Sequence, residues 1–184
     1  MNSGLRRSNF LLACSLVLCF STKVYAEELP QNFNAIKPIN HQIQQIKLQK
    51  TKQNSNTQLL NAQLLIASQN GDLKEVRSLI SQATDVNVRD EYGWTPILWA
   101  AMNGHTDVVR VLLVSGANPN TRNKYGWTPL MWAAGQGYSE IVRSLIASGA
   151  RLNAQDRNGW TAMMWAWDGN QQETVAILRN VAND

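Results

Sequence analysis

The chain of 184 residues is 44% hydrophobic and 16% charged, with seventeen Lys and Arg against thirteen Asp and Glu and a formal net charge of +4. This composition excludes a disordered polyelectrolyte, a collagen-like chain and a disulfide framework, and leaves a soluble globular or repeat protein with about one domain's worth of chain. Arg6, Arg7 and Lys23 fall within the first 26 residues, and the rest carries fourteen basic against thirteen acidic groups. That balance is too near neutrality for the several phosphate contacts of non-specific nucleic-acid binding, so no nucleic-acid partner is expected.

The first segment combines Arg6 and Arg7, an apolar stretch from Phe10 to Phe20, and the small-residue exit Val24-Tyr25-Ala26. This is the pattern of a secretory signal peptide over residues 1–26, cleaved after Ala26. The apolar stretch, about 16 Å long as a helix, is too short to span a ~30 Å hydrocarbon core, so no membrane span is expected. Lipidation at Cys14 and twin-arginine export through Arg6-Arg7 are weaker readings, because Cys14 sits inside the apolar stretch and the arginine motif carries one residue too many. Cys14 and Cys19 are the only cysteines, so the mature chain has no disulfide and no thiol chemistry. The expected destination is the periplasm, or alternatively the extracellular space.

Residues 27–58 form a polar spacer: fifteen of the twenty-seven residues from Gln31 to Thr57 are Gln, Asn or Lys. Within it Ile36, Ile39, Ile43 and Ile46 would line one face of a helix starting after Pro38, a stripe that breaks at Lys50. A short helix covering the end of the next domain, plain disorder and a self-association helix all fit this pattern.

From residue 59 onward the chain repeats itself with an offset of 33 residues. Gly93-Trp94-Thr95-Pro96-Ile97-Leu98-Trp99-Ala100-Ala101 returns as Gly126-Trp127-Thr128-Pro129-Leu130-Met131-Trp132-Ala133-Ala134 and as Gly159-Trp160-Thr161-Ala162-Met163-Met164-Trp165-Ala166-Trp167. The same offset links Val76, Val109, Val142 and Val175, and links Leu79, Leu112, Leu145 and Leu178, which defines a fourth, degenerate copy starting near Leu60. Thr95 and Thr128 are placed to cap a first helix, with Pro96 and Pro129 at its first position, where the missing N–H costs nothing. A second, amphipathic helix begins near Thr106-Asp107 and near Ser139-Glu140, and Gly116 and Gly149 follow it.

This pattern, from Gly93 to Asn120 nearly throughout, resembles the ankyrin repeat. The resemblance implies an all-α solenoid of four stacked helix-turn-helix units joined by hairpin turns, with repeats at about 60–92, 93–125, 126–158 and 159–184 and imperfect first and last copies. The family's usual His after Thr-Pro-Leu is replaced by Leu98, Met131 and Met164, so apolar packing is expected in place of its hydrogen bond. Ala83 stands where the glycine after the second helix would be, and Arg179, Asn180, Asn183 and Asp184 are expected to face water at the end of the array.

The resemblance assigns the residues around each hairpin glycine and at the end of each first helix to a concave, partner-facing edge. Here these are Tyr92, Trp94, Met102, Asn103, Lys124, Tyr125, Trp127, Gln136, Asn158 and Trp160. Large aromatic side chains dominate binding energy when a partner buries them. The competing reading has Trp94, Trp127 and Trp160 stacked on one another between hairpins. Trp99, Trp132 and Trp165 read as core, and Arg77, Arg110 and Arg143 as a solvated face that pairs with Asp107 and Glu140.

His41 and His105 are the only histidines, and His105 reads as a partner for backbone groups. Asp90, Asn123 and Asp156 read as turn residues bonding nearby backbone. With no catalytic or metal-ligating constellation, no enzyme activity, cofactor or metal is expected. The expected protein is a monomeric, non-catalytic module of a bacterial envelope that binds a partner protein of unidentified charge. A glycan or small-ligand binder using the Trp and Tyr ladder, and a secreted effector binding a host protein, are the alternatives.

Overall fold

The computed structural model describes residues 33–183, with side chains from residue 42 to residue 182. The leader read at residues 1–26, the start of the spacer, and Asp184 lie outside the described residues, as do the side chains of Ile36, Ile39 and Asn183. Among the described residues the chain divides into two units, one ending at Ile46 and the other beginning at Lys47. Helix α1 covers Phe33–Asn70, starting ahead of Pro38 and continuing through Lys50, where the isoleucine stripe ends. In the first unit Ile43 and Ile46 are exposed.

In the second unit, seven more helices follow: α2 (Leu73–Ser81), α3 (Pro96–Met102), α4 (Thr106–Val114), α5 (Pro129–Gln136), α6 (Ser139–Ala147), α7 (Ala162–Asp168) and α8 (Gln172–Asn183). They form two layers: α3, α5 and α7 stack in one, and α2, α4, α6 and α8 in the other. The last turns of α1 serve as the first helix of the degenerate copy, contributing Leu64 and Ala67 to the core. The rest of the core is the repeat pattern itself, with Val76 and Leu79, Val109 and Leu112, Val142 and Leu145, and Val175 and Leu178 all buried. Each repeat thus buries its apolar face on its neighbours, as a solenoid requires.

The helix starts follow from the sequence. Thr95, Thr128 and Thr161 have extended backbone and accept the N–H of Leu98, Met131 and Met164 through their hydroxyls. The third residue after each capping Thr does not behave alike in the three copies. Leu98 and Met131 are buried, which is the expected packing substitute, but Met131 also accepts the Thr128 N–H through Sδ at 3.4 Å, and Met164 is exposed.

Gly104 and Gly137, at φ of 76° and 77°, turn each first helix into the second, and the ring of Tyr138 lies where a Cβ on Gly104 would project. His105 packs in the same way over Gly71, and its Nε2 lies 3.0 Å from the Gln69 carbonyl, which the ring satisfies when Nε2 carries the proton. Adjacent repeats are further tied by asparagines. Asn87 donates to the Gly116 carbonyl and accepts the Asn118 N–H, and Asn120 does the same with Gly149 and Arg151. On the outer face Arg110 bonds Glu140 of the next repeat at 2.7 Å as well as facing Asp107, and Arg143 faces Glu173.

Candidate functional site

Each hairpin is held by one side chain. Asp90 Oδ1 accepts the N–H groups of Tyr92 and Trp94, Asn123 Oδ1 those of Tyr125 and Trp127, and Asp156 Oδ1 those of Asn158 and Trp160. These short polar side chains close the turn on themselves, as the sequence suggests. Neighbouring hairpins are joined by backbone bonds, Lys124 N–H to the Tyr92 carbonyl and Arg157 N–H to the Tyr125 carbonyl. Arg89 donates across to the Arg122 carbonyl and to the Thr121 hydroxyl, and Arg122 donates in turn to the Gln155 carbonyl. The hairpin arginines therefore bridge repeats, a role their alternation with acidic residues in the sequence does not reveal.

The tightly held hairpins aim their tryptophans at the first-helix layer. The indoles form one continuous zigzag. Trp94 lies flat on Trp99 with ring centroids 4.4 Å apart and also meets Trp132 at 5.9 Å. Trp127 meets Trp132 at 4.7 Å and Trp165 at 6.3 Å, and Trp160 meets Trp165 at 5.0 Å. The expectation that Trp94, Trp127 and Trp160 stack on one another is thus corrected: the indole neighbours of each are helix tryptophans. Trp99, Trp132 and Trp165, read as core, are each half-buried. Trp165 packs against the core, whereas Trp99 and Trp132 do not belong to it, which corrects the reading for those two.

Along this edge Trp94 is 8% exposed, whereas Trp127 and Trp160 are half-buried. Tyr92 and Tyr125 project from the hairpin tips at 51% and 48% exposure. The Lys124 ammonium sits 5.8 Å over the Tyr92 ring, and Tyr125 leans on Trp127. Met102 is half-buried, and Asn103 donates to the carbonyls of Gln69 and Trp99, fastening the end of α3. Gln136 and Asn158 are exposed. A cavity of about 260 Å³ opens between α5 and α7, lined by Trp127, Met131, Trp132, Gly135, Gln136, Trp165, Asp168 and Gly169. It brings Trp127 and Gln136 together with two helix tryptophans.

Two features were not singled out from the sequence. Asp168 lines the cavity, and Trp167 is 63% exposed where Ala101 and Ala134 of the earlier repeats are buried. The signal for both was present as a departure from the 33-residue pattern in the last copy. Among the described residues no group of three or more His, Cys, Asp or Glu is placed to hold a metal ion, and no helix is long and apolar enough to cross a membrane.

The stacked helix pairs and bridged hairpins define a helical repeat solenoid. The family model for ankyrin repeats (three copies) matches residues 36–123, 64–156 and 113–184, and the chain belongs to the ankyrin-repeat family. Repeats of this family generally mediate protein–protein interaction. No curated protein matches the chain.

Proposed function

We propose that the protein is an exported, non-catalytic binding module that engages a partner protein through the edge formed by its hairpin tips and first helices. The observation that carries this reading is the run of six linked tryptophans with Tyr92 and Tyr125 exposed beside it. Aromatic side chains held in place before a partner arrives lose little freedom on association, so more of their contact energy appears as affinity. The hydrogen-bonded hairpins supply that restraint.

The leader pattern at residues 1–26 supports export, with the periplasm as the destination. The absence of cysteine after Cys19 suits an oxidising compartment, because the array holds together by packing and not by disulfides.

The test is affinity capture from a cell-envelope extract with the mature chain and with its Tyr92→Ser/Tyr125→Ser variant. Both tyrosines are exposed, so the variant keeps the helical circular dichroism of the parent. A partner retained by the parent and lost by the folded variant supports the reading, and equal retention by both contradicts it.

A further inference from the structure

The tryptophan pairs of successive repeats are built differently. Trp94 and Trp99 lie nearly parallel, at 19°, with centroids 4.4 Å apart, a flat stack with no space between the rings. Trp127 and Trp132 occupy the same two repeat positions but meet edge to face at 85°, and Trp127 stands equally upright against Trp165 at 87°. The upright arrangement makes a corner where the flat one makes a closed stack. Gly135 leaves that corner open, since Met102 holds its position one repeat earlier. One repeat later the same position is Asp168, whose exposed carboxylate reaches the cavity and is in no ion pair among the described residues.

We propose that this cavity receives the ammonium end of a lysine side chain of the partner protein, an inference that rests on the reading of the aromatic edge as a partner surface. Indole is the strongest of the aromatic side chains at attracting a cation to its ring face, and the cavity has three of them. The unpaired Asp168 adds the complementary charge that a neutral guest would leave unused. The wall geometry selects among cations. A guanidinium is planar and stacks flat on an aromatic face, whereas an ammonium is a compact point charge that needs no flat stack. The methylene stem of lysine covers apolar wall while its charged end stays near the carboxylate and water.

The experiment titrates the full chain at low salt with the peptide acetyl-Gly-Gly-Lys-Gly-Gly-amide and with its norleucine and arginine counterparts. Indole N–H signals in NMR and tryptophan emission are the readouts. The lysine peptide shifts the signals of Trp127, Trp132 and Trp165 saturably, the uncharged norleucine peptide binds about tenfold more weakly, and the arginine peptide about threefold more weakly. Asp168→Asn reduces lysine-peptide affinity about threefold, in line with one exposed charge pair. Gly135→Met removes the binding by refilling the corner; a Cβ at Gly135 meets Trp165 at an ordinary 3.6 Å, and circular dichroism verifies that the variant keeps the helical signal of the parent.

Equal binding of the lysine and norleucine peptides, indifference to Asp168→Asn, or no shift with any peptide overturns the proposal. If partner capture still depends on Tyr92 and Tyr125 in that case, only the lysine inference fails. If capture is also indifferent to them, the partner-surface reading fails with it.

Discussion

Asp156 accepts the indole N–H of Trp165 through Oδ2 at 3.2 Å, while its Oδ1 holds the hairpin backbone. One repeat earlier the same positions are Asn123 and Trp132. Asn123 uses Oδ1 for the hairpin in the same way, so its amide nitrogen stands where Asp156 has its second oxygen. A donor has replaced an acceptor. Accordingly the Asn123 Nδ2 and the Trp132 Nε1 are both buried without a partner among the described residues.

Asn123→Asp therefore restores an acceptor and is expected to stabilise the fold by about 1 kcal/mol, whereas Asp156→Asn is expected to destabilise it by about 1–2 kcal/mol. Urea unfolding of both variants checks the pair. Equal and opposite signs are the informative result, because a general dislike of buried carboxylate would move both the other way.

Ala83 sits at φ 58°, in the left-handed region, at the repeat position where Gly116 and Gly149 have φ of 90° and 85°. Ala83→Gly is expected to stabilise the chain by about 1 kcal/mol by removing the Cβ penalty. Gly116→Ala is expected to cost about as much, and for the dihedral alone, since nothing lies within 4 Å of the added Cβ. Thermal unfolding midpoints shifted in opposite directions confirm this.

Arg89 ties two hairpins through the Arg122 carbonyl and the hydroxyl of Thr121, which is otherwise buried. Arg89→Ala is expected to lower stability by about 1–2 kcal/mol, and Arg89→Lys to recover little of it, because a single ammonium does not reproduce the fork. Hydrogen exchange of the Lys124 amide, which bonds the Tyr92 carbonyl, is expected to accelerate in both variants.

Mass spectrometry of the protein recovered from a bacterial host that processes secretory leaders is expected to show a mature chain beginning at Glu27. A chain that keeps Met1 through Ala26 contradicts the export reading.

How far the structure could be read from the sequence depends on how local each feature is. The helix starts at Thr95-Pro96 and Thr128-Pro129, the glycine turns and the buried Val and Leu positions were legible, because each rests on contacts within one repeat or between identical copies. The tryptophan rings were not. Gly-Trp-Thr-Pro followed by Trp appears in both middle repeats, yet the rings stack flat in one and stand upright in the other. The surroundings of the rings differ where the motif does not, with Gly135 in one repeat at the position of Met102 in the other. Likewise the isoleucine spacing left a helix and disorder both open in the spacer and its stripe ended at Lys50, whereas α1 continues to Asn70, with every residue from 51 to 58 exposed.

A hydrogen-exchange footprint of the chain with and without its captured partner tests the aromatic edge as the partner surface most directly. New protection is expected at the hairpin tips around Tyr92 and Tyr125 and along the end of α5 at Gly135 and Gln136. Protection confined to α4 and α6 on the opposite layer, with the hairpins unchanged, would contradict it.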